Sequence, residues 1–325
     1  MLEQLPWMSD WPIAYPRQRG LWTVTDTRRW GVLDPETGQA TRVDPGADPA
    51  LPGLRPALEL GRLVSYRFER RAVVATPSSY IKVVRPGRVD ALATTHAAIA
   101  SAPGGFEVPP VVSVCGDGRL ELGPVKGRSL HDLLRAEADP DLSRVADLVA
   151  AFHLMTPLPR LRSPRHDDCC RWARTITRAE PTAGAELAEL ATMLPRLEPR
   201  PELMVHGDLH DKNLIMARDG SALIDLDGVT LGAAEDDVAN LAVHLKLRAL
   251  QAGLDPGVGR RRSRALYHAY DEHHHTLDRA RLRAAERHTW FRLACLYRFR
   301  RASRPLAASL LGRAVGDERQ REGHL

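Results

Sequence analysis

The eight residues HGDLHDKN at positions 206–213, followed by IDLDG at positions 224–228, decide the fold of this 325-residue chain. Asp208 and Asn213 lie five positions apart in the first stretch, and Asp225 follows Asn213 by 12 positions. Between them, two short apolar runs, NLIMA and SALIDL, flank an Arg-Asp-Gly turn at 218–220. This pattern predicts a β-hairpin. The hairpin would bring Asp225 back beside Asn213.

Asp208, Asn213 and Asp225 are the groups that phosphoryl transfer requires of a protein. One aspartate orients the acceptor hydroxyl and receives its proton, while a second carboxylate and an amide oxygen hold a divalent metal against the triphosphate. The five-position offset also matches the kinase catalytic-loop pattern H-R-D-L-x-x-x-N. Either motif alone could be an ordinary turn or strand end. The two together, in this order, favour a catalytic loop and its metal-binding partner.

Several stretches resemble one known family. HGDLHDKNLI and LIDLDG are similar to the catalytic and metal-binding motifs of the aminoglycoside phosphotransferase and choline kinase-like family, in which HGDxHxxN replaces the protein-kinase HRDxxxxN. GAAEDDVANL at 232–241 resembles the family's G-x-P-x-x-D-L-A segment. YIKVV at 80–84 looks like the strand whose lysine grips the nucleotide phosphates, and LELGPVKGRSLHDLL at 120–134 resembles the hinge and the helix after it. The resemblance covers about residues 61 to 245, and the helical tail fits it loosely.

The resemblance implies a role for each matching residue. It makes Asp208 the catalytic base, and Asn213 and Asp225 the ligands of Mg²⁺. The implied nucleotide contacts are the Lys82 side chain to the α- and β-phosphates of ATP and, to adenine, the backbone of Glu121, Leu122 and Gly123. The implied supporting residues are His206, Asp227 and Asp237, with Asp237 bracing the catalytic loop.

The sequence departs from the kinase pattern at two places. Between the first two predicted strands it has YRFERR at 66–71 and no glycine, so close backbone contact with phosphate is not expected there. Arg67, Arg70 or Arg71 could instead contact phosphate by side chain, or these arginines could lie on a solvated hairpin. The helix after Lys82 lacks the usual glutamate partner. Asp90 could reach Lys82, a carboxylate from elsewhere could do so, or the lysine could be held differently, with His96 where a partner would be expected.

The order of predicted elements indicates an α+β fold with two lobes, as in protein kinases. We expect an N-terminal extension with hairpins over 1–55, a nucleotide-binding N-lobe over 56–123, and a helical C-lobe with the catalytic loop and acceptor site over 124–325. The predicted N-lobe has a five-stranded antiparallel sheet and one helix, which we place at 90–100. Two further helical stretches are predicted at 236–252 and 263–313, the second with a break at Pro305.

Composition narrows the class of protein. Residues 245–325 hold 18 Lys and Arg against 8 Asp and Glu, but these charges are spread through helical sequence, so we interpret them as a solvated surface and consider nucleic-acid binding improbable. No apolar run approaches the roughly 18 residues of a membrane span, and no leader peptide is recognisable, so a cytoplasmic protein is expected. The four cysteines are too few for a disulfide scaffold. Three adjacent histidines at 273–275 point in different directions around a helix, which disfavours a metal site.

The sequence therefore predicts an ATP- and Mg²⁺-dependent kinase that phosphorylates a hydroxyl of a small molecule such as a sugar, an amino sugar or an antibiotic. A protein acceptor is disfavoured because no A-P-E segment follows IDLDG. The basic C-terminal region argues against a polycationic acceptor and favours a neutral sugar or one that carries an anionic group. The alternative is a catalytically inert nucleotide-binding module, which the missing glycines and the missing glutamate would suit.

Overall fold

The computed structural model describes residues 5–136, 139–159, 161, 168–273 and 276–316. The chain begins with an antiparallel four-stranded sheet in the order β1-β2-β3-β4. Its strands are β1 (Ile13–Tyr15), β2 (Trp22–Thr25), β3 (Trp30–Leu33) and β4 (Ala40–Arg42). In this region, for which hairpins were predicted, β1 pairs with β2 and β3 pairs with β4. We call residues 5–53 the extension.

Three of the extension's tryptophans form part of a hydrophobic core. Trp7, Trp11 and Trp22 are buried in one cluster with the C-terminal helices. The Trp22 ring meets the Phe299 ring edge-on, with centroids 4.9 Å apart, and the Trp22 Nε1 donates to the Arg17 carbonyl at 2.9 Å. The tryptophans therefore cover an apolar flank and attach the extension to the C-terminal part of the chain.

The N-lobe is an antiparallel sheet of five strands in the order β5-β6-β7-β9-β8, as predicted. A helix that the sequence analysis did not predict, α1 (Leu54–Leu60), precedes it, and α2 (Pro86–Ser101) starts four residues earlier than predicted because Pro86 is well suited to a first helical turn. The strands are β5 (Arg62–Arg67), β6 (Arg71–Ala75), β7 (Tyr80–Val84), β8 (Val111–Val114) and β9 (Arg119–Leu122).

Short strands in the C-lobe lie on either side of the HGDLHDKN motif. The predicted hairpin is present as β12 and β13, in which Leu214 pairs with Leu223. Two short strands that were not predicted, β10 and β14, pair with β12 and β11 respectively. Their bounds are β10 (Arg128–Ser129), β11 (Leu203–Val205), β12 (Leu214–Met216), β13 (Ser221–Leu223) and β14 (Thr230–Gly232).

Helices make up the rest of the C-lobe. They are α3 (Leu130–Arg135), α4 (Leu142–His153), α5 (Asp168–Thr177), α6 (Pro181–Thr192), α7 (Ala234–Gln251), α8 (Pro256–His273), α9 (Arg279–Tyr297) and α10 (Leu306–Val315). The helical stretch predicted at 263–313 has a second break, because Asp278 caps α9 by accepting from the backbone of Ala280 and Arg281. The three histidines at 273–275 lie largely outside the described residues. In the described part of the chain, no helix is long and apolar enough to cross a membrane.

The extension touches both lobes. Besides its tryptophan contacts with the C-lobe, it supports the turn between β5 and β6 in the N-lobe. Thr23 Oγ1 accepts from the Phe68 amide at 2.7 Å, and Asp48 Oδ2 accepts from the Glu69 amide and from the Tyr66 hydroxyl, both at 2.8 Å. The extension therefore connects the N-lobe hairpin to the C-terminal helices.

We expect Trp22→Ala to lower the free energy of unfolding by about 3 to 5 kcal/mol, because it removes a fully buried aromatic side chain and leaves a cavity against Phe299. Chemical denaturation of the full chain measures this. The control is Leu60→Ala, whose side chain is largely exposed and should cost no more than about 0.5 kcal/mol. Equal effects of the two substitutions would show that the extension does not contribute to the core.

Candidate active site

The HGDLHDKN motif forms the loop between β11 and β12. Its Gly207 has φ 77°, and a Cβ there would lie 2.4 Å from the Gly228 carbonyl oxygen. Only glycine fits this conformation and this close approach. The glycine therefore lets the loop turn tightly against Gly228, the last residue of the second motif.

A buried carboxylate holds this loop in place. Asp237, in the first turn of α7, accepts from the His206 amide at 2.6 Å and from the Gly207 amide at 3.0 Å. His153 Nε2 lies 3.1 Å from the same carboxylate. On the other side of the loop, His206 Nε2 lies 3.0 Å from the Ile224 carbonyl oxygen. Asp237 thus holds the backbone of the loop, and His206 contacts the residue before Asp225.

Asp208 is the loop carboxylate that faces open space. About half of its side chain, 49%, is exposed, and its nearest cation is Arg292, with NH1 3.6 Å from Oδ1. Burial acts to raise the pKa of Asp208, but the charge of Arg292 and then the nearby histidines outweigh it, so the pKa lies below its usual value. Asp208 is therefore an ionised, accessible carboxylate that can accept a hydrogen bond or a proton.

The hairpin brings Asn213 and Asp225 together. The Ile224 amide donates to the Asn213 carbonyl at 3.0 Å, so the residue before Asp225 lies directly beside Asn213. The Asn213 Nδ2 donates to the Asp208 carbonyl at 3.1 Å, which fixes the Asn213 side chain against the loop. Asp225 is in the left-handed region, at φ 61° and ψ 54°, an uncommon conformation for a residue other than glycine. Residues with such backbone strain are frequent at functional sites.

Lys82 of β7 reaches across from the N-lobe to the second motif. Its Nζ lies 2.9 Å from Asp225 Oδ1 and 2.6 Å from Asp227 Oδ1. Arg71 of β6 joins the same cluster, with NH1 3.1 Å from Asp227 Oδ2 and 3.6 Å from Asp225 Oδ1. Burial acts to raise the pKa of Asp225, but Lys82 and then Arg71 lower it to about 2. Asp225 is therefore a carboxylate at any physiological pH.

These contacts answer the question of the missing glutamate. The carboxylates that meet Lys82 come from elsewhere, from Asp225 and Asp227, while Asp90 is exposed on α2. His96 is buried in α2, and burial, followed by the charge of Lys82, lowers its pKa to about 4. A neutral histidine can lie near a lysine without repelling it. His96 is thus an uncharged side chain on the helix that lacks the usual glutamate.

The donor chemistry of this cluster fits a hard divalent cation. Asp225 supplies an ionised carboxylate, and Asn213 supplies an amide oxygen, both of which suit Mg²⁺. Within the described part of the chain, no group of three or more His, Cys, Asp or Glu side chains could form a complete metal site by itself. Any cation held here would need further oxygen ligands from a substrate or from water.

The predicted hinge, Glu121 to Gly123, ends the inner strand β9. Leu122 pairs with Tyr80 on one side and with Val111 on the other, and the Gly123 amide donates to the Pro110 carbonyl at 2.8 Å. The Glu121 carboxylate accepts from the Ser79 hydroxyl at 2.6 Å and from the Ser113 hydroxyl at 3.0 Å. The Gly123 amide is thus already engaged, and adenine contacts at this segment stay a prediction.

The two neighbouring arginines of the β5–β6 hairpin diverge. Arg71 lies in the Lys82 cluster, whereas Arg70 lines a cavity together with arginines of the extension and of α2. Arg67 lies over the Tyr15 ring, 3.0 Å from its centroid. Of the three arginines considered as phosphate contacts, the structure brings only Arg71 to the two motifs.

Sequence reasoning missed two residues of this site. Asp211, within the motif itself, is fully buried, and its Oδ2 accepts from Arg248 Nε at 2.6 Å and lies 2.7 Å from His131 Nδ1. Its position in a charged, loop-like stretch resembled that of a solvated residue. Arg292 lies in α9 among many other arginines, and only the packing of α9 against the loop distinguishes it. Neither residue belongs to a sequence pattern that distinguishes it from a solvated charged residue.

The sequence model of the phosphotransferase enzyme family, APH, matches residues 68–284, more than half of the chain. No match is found among curated protein sequences.

Solved structures with similar folds include three kinases. An aminoglycoside phosphotransferase, APH(3'')-Id, from Streptomyces rimosus is 22% identical with a TM-score of 0.52, over 75% of this chain and 95% of that one. The streptomycin-ATP-APH(2'')-IIa ternary complex is 14% identical with a TM-score of 0.51, over 80% and 93%. A choline/ethanolamine kinase family protein from Mesorhizobium loti is 10% identical with a TM-score of 0.52, over 82% and 99%. At these identities the likeness is one of fold.

The family model and the shared fold confirm the resemblance that the motifs indicated. The bilobal, protein-kinase-like fold is likewise confirmed. The chain belongs to the phosphotransferase enzyme family.

Proposed function

We propose that this protein transfers the γ-phosphate of ATP to a hydroxyl group of a small molecule. The observation that carries the proposal is the convergence of Lys82, Asn213 and Asp225 beside the loop of Asp208. This set combines a base for a hydroxyl, oxygen ligands for a cation, and a cation for phosphate, which are the groups that phosphoryl transfer needs. One of the fold neighbours is a ternary complex with ATP, which agrees with this choice of phosphate donor.

Asp208 is the proposed catalytic residue. The acceptor hydroxyl gives its proton to the Asp208 carboxylate while its oxygen forms a bond to the γ-phosphorus. The bond between that phosphorus and the bridging oxygen of the β-phosphate breaks, and ADP leaves with the electron pair. The lowered pKa of Asp208 keeps it ionised and ready to accept the proton at neutral pH.

The other residues position the triphosphate. We assign Lys82 and Arg71 to the phosphate oxygens, because both side chains already converge on the two carboxylates of the second motif. A magnesium ion held by Asn213 and Asp225 would neutralise charge on the transferring phosphate. Asp227 contacts both Lys82 and Arg71 and would keep these two side chains aligned. His206 and Asp237 would brace the loop. Adenine would lie beside the segment from Glu121 to Gly123.

The charges near Asp208 bear on the class of acceptor. Arg292 is 3.6 Å from the Asp208 carboxylate, and residues of α9 supply no acidic partner there other than the distant Glu286. A polycationic acceptor would be repelled by Arg292. We therefore propose an acceptor that is neutral, such as a sugar, or that carries an anionic group next to the reacting hydroxyl.

The alternative function is that of an inert nucleotide-binding module. The contacts of Lys82 with two carboxylates argue against it. Its missing helix glutamate is replaced by Asp225 and Asp227, so the lysine is not left without an anchor. A screen of ADP release from Mg-ATP distinguishes the two functions. Acceptors in the screen are amino sugars, aminoglycosides, macrolides, nucleosides and polyols. Failure of every class, together with no ATP binding, would refute the kinase proposal.

We expect Asp208→Asn to lower kcat by about 10² to 10⁴-fold, because the amide keeps the shape of the side chain but cannot take the proton. ATP binding, measured by calorimetry, should be nearly unchanged, since Asp208 faces the acceptor. The control is Asp90→Asn, which changes an exposed aspartate on α2 and should leave both quantities unaltered. A small loss of kcat in Asp208→Asn would exclude Asp208 as the base.

We expect Arg292→Ala to move the acid limb of the kcat/KM profile to higher pH. Arg292 lowers the pKa of Asp208, so its removal raises that pKa and protonates the base at a pH where the native enzyme is still active. Arg292→Lys retains a positive charge and should restore much of the native profile. An acid limb that stays in place in Arg292→Ala would mean that Asp208 does not control it.

A further inference from the structure

A cavity of about 580 Å³ lies where the extension, the N-lobe hairpin and the C-lobe meet. Its walls come from the loop before β2, the turn between β5 and β6, the start of α2, and one face of α5. Among the described residues that line it, six are arginines and one is acidic, Glu69. The arginines are Arg17, Arg19, Arg70, Arg85, Arg88 and Arg171. We call this feature the arginine cavity.

Among the described residues that line the arginine cavity, arginines outnumber acidic residues. The Glu69 carboxylate is 3.4 Å from Arg17 NH1. Arg85 Nε donates to the Glu69 carbonyl at 2.8 Å, and Arg17 NH1 donates to the Phe68 carbonyl at 3.3 Å. These bonds hold the turn and its arginines in place. Burial, and then the positive charges of Arg71, Arg17 and Arg88, lower the pKa of Arg70. A bound anion would relieve this repulsion.

The start of α2 adds to the positive potential. This 16-residue helix begins at Pro86, with no side-chain cap on its first amides, and Arg85 and Arg88 at its start both line the cavity. The N-terminus of a helix carries a partial positive charge and favours anions. The helix and the arginines therefore act in the same direction.

The arginine cavity is separate from the proposed catalytic cluster. None of its described lining residues is Lys82, Asp208, Asn213 or Asp225. Arg70 and Arg71 are adjacent in sequence, yet Arg71 pairs with Asp225 and Asp227 while Arg70 faces the cavity. The β5–β6 turn thus presents one arginine to each site. The cavity contains nothing that the proposed phosphoryl transfer uses.

We propose that the arginine cavity binds a small anion that carries more than one phosphate group. Guanidinium groups recognise phosphate oxygens through paired hydrogen bonds, and several of them around one space suit a ligand with several such oxygens. The volume is that of a site for a metabolite-sized molecule. Its concave shape, lined by three parts of the chain, favours a compact ligand over a nucleic acid strand. The inference does not depend on the proposed kinase activity, because the cavity shares none of its described lining residues with the catalytic cluster.

The test measures pyrophosphate binding by calorimetry. The full chain is first saturated with magnesium and a non-hydrolysable ATP analogue, so that the nucleotide site is filled. We expect binding to the native protein and at least about a 10-fold rise in Kd for the double substitution Arg70→Ala and Arg88→Ala. The matched control removes the same charge elsewhere, with Arg264→Ala and Arg283→Ala on exposed faces of α8 and α9. This control should bind as the native protein does.

Three results would overturn the proposal. The first is no binding of pyrophosphate to the native protein, and the second is an equal loss in the control, which would mean general surface charge. The third is loss of binding in Lys82→Ala with full binding in the Arg70 and Arg88 variant, which would place the anion in the nucleotide site. Binding of a DNA oligonucleotide without binding of pyrophosphate would likewise contradict the proposal. Circular dichroism of each variant checks that it is folded.

Discussion

The structure of the site depends on one buried carboxylate, Asp237. It is almost completely shielded from water, so its charge must be met by donors within the protein. The amides of His206 and Gly207 supply them, and hydrogen bonds to a charged group contribute about 1.5 to 3 kcal/mol each. Because Asp237 belongs to α7, the loop that carries Asp208 is attached to a largely buried helix of the C-lobe. The position of Asp208 is therefore set by a helix and not by the loop itself.

A second electrostatic contact couples the lobes. Lys82 belongs to the N-lobe sheet, and Asp225 and Asp227 belong to the C-lobe. Because the lysine side chain is buried, solvent screens its attraction to the carboxylates less than it would screen a surface ion pair. The extension makes a third connection, since its tryptophans pack on the C-terminal helices while Thr23 and Asp48 hold the β5–β6 turn. These connections limit how far the turn can move relative to Asp208.

The extension also explains how a hairpin without glycine can exist at this place. In a glycine-rich loop the backbone approaches phosphate closely, but here the amides of Phe68 and Glu69 donate to Thr23 and Asp48. Those amides are unavailable to a nucleotide. Side chains then take over: Arg71 points to the second motif and Arg70 to the arginine cavity. The same turn thereby places one arginine in a cluster of carboxylates and the next in a cationic cavity.

The sequence alone was sufficient to predict the hairpin that returns Asp225, the N-lobe sheet and the family, because these depend on local spacing and alternation that are visible along the chain. The tertiary structure alone decided which groups meet Lys82, where Arg70 and Arg71 point, and that Arg292 lies beside Asp208. Those contacts join residues more than 80 positions apart, such as Lys82 with Asp225. A pattern of neighbours cannot specify them. The burial of Asp211 and the arginine cavity likewise arise from packing between distant segments, where a charged residue in sequence looks the same whether it is solvated or enclosed.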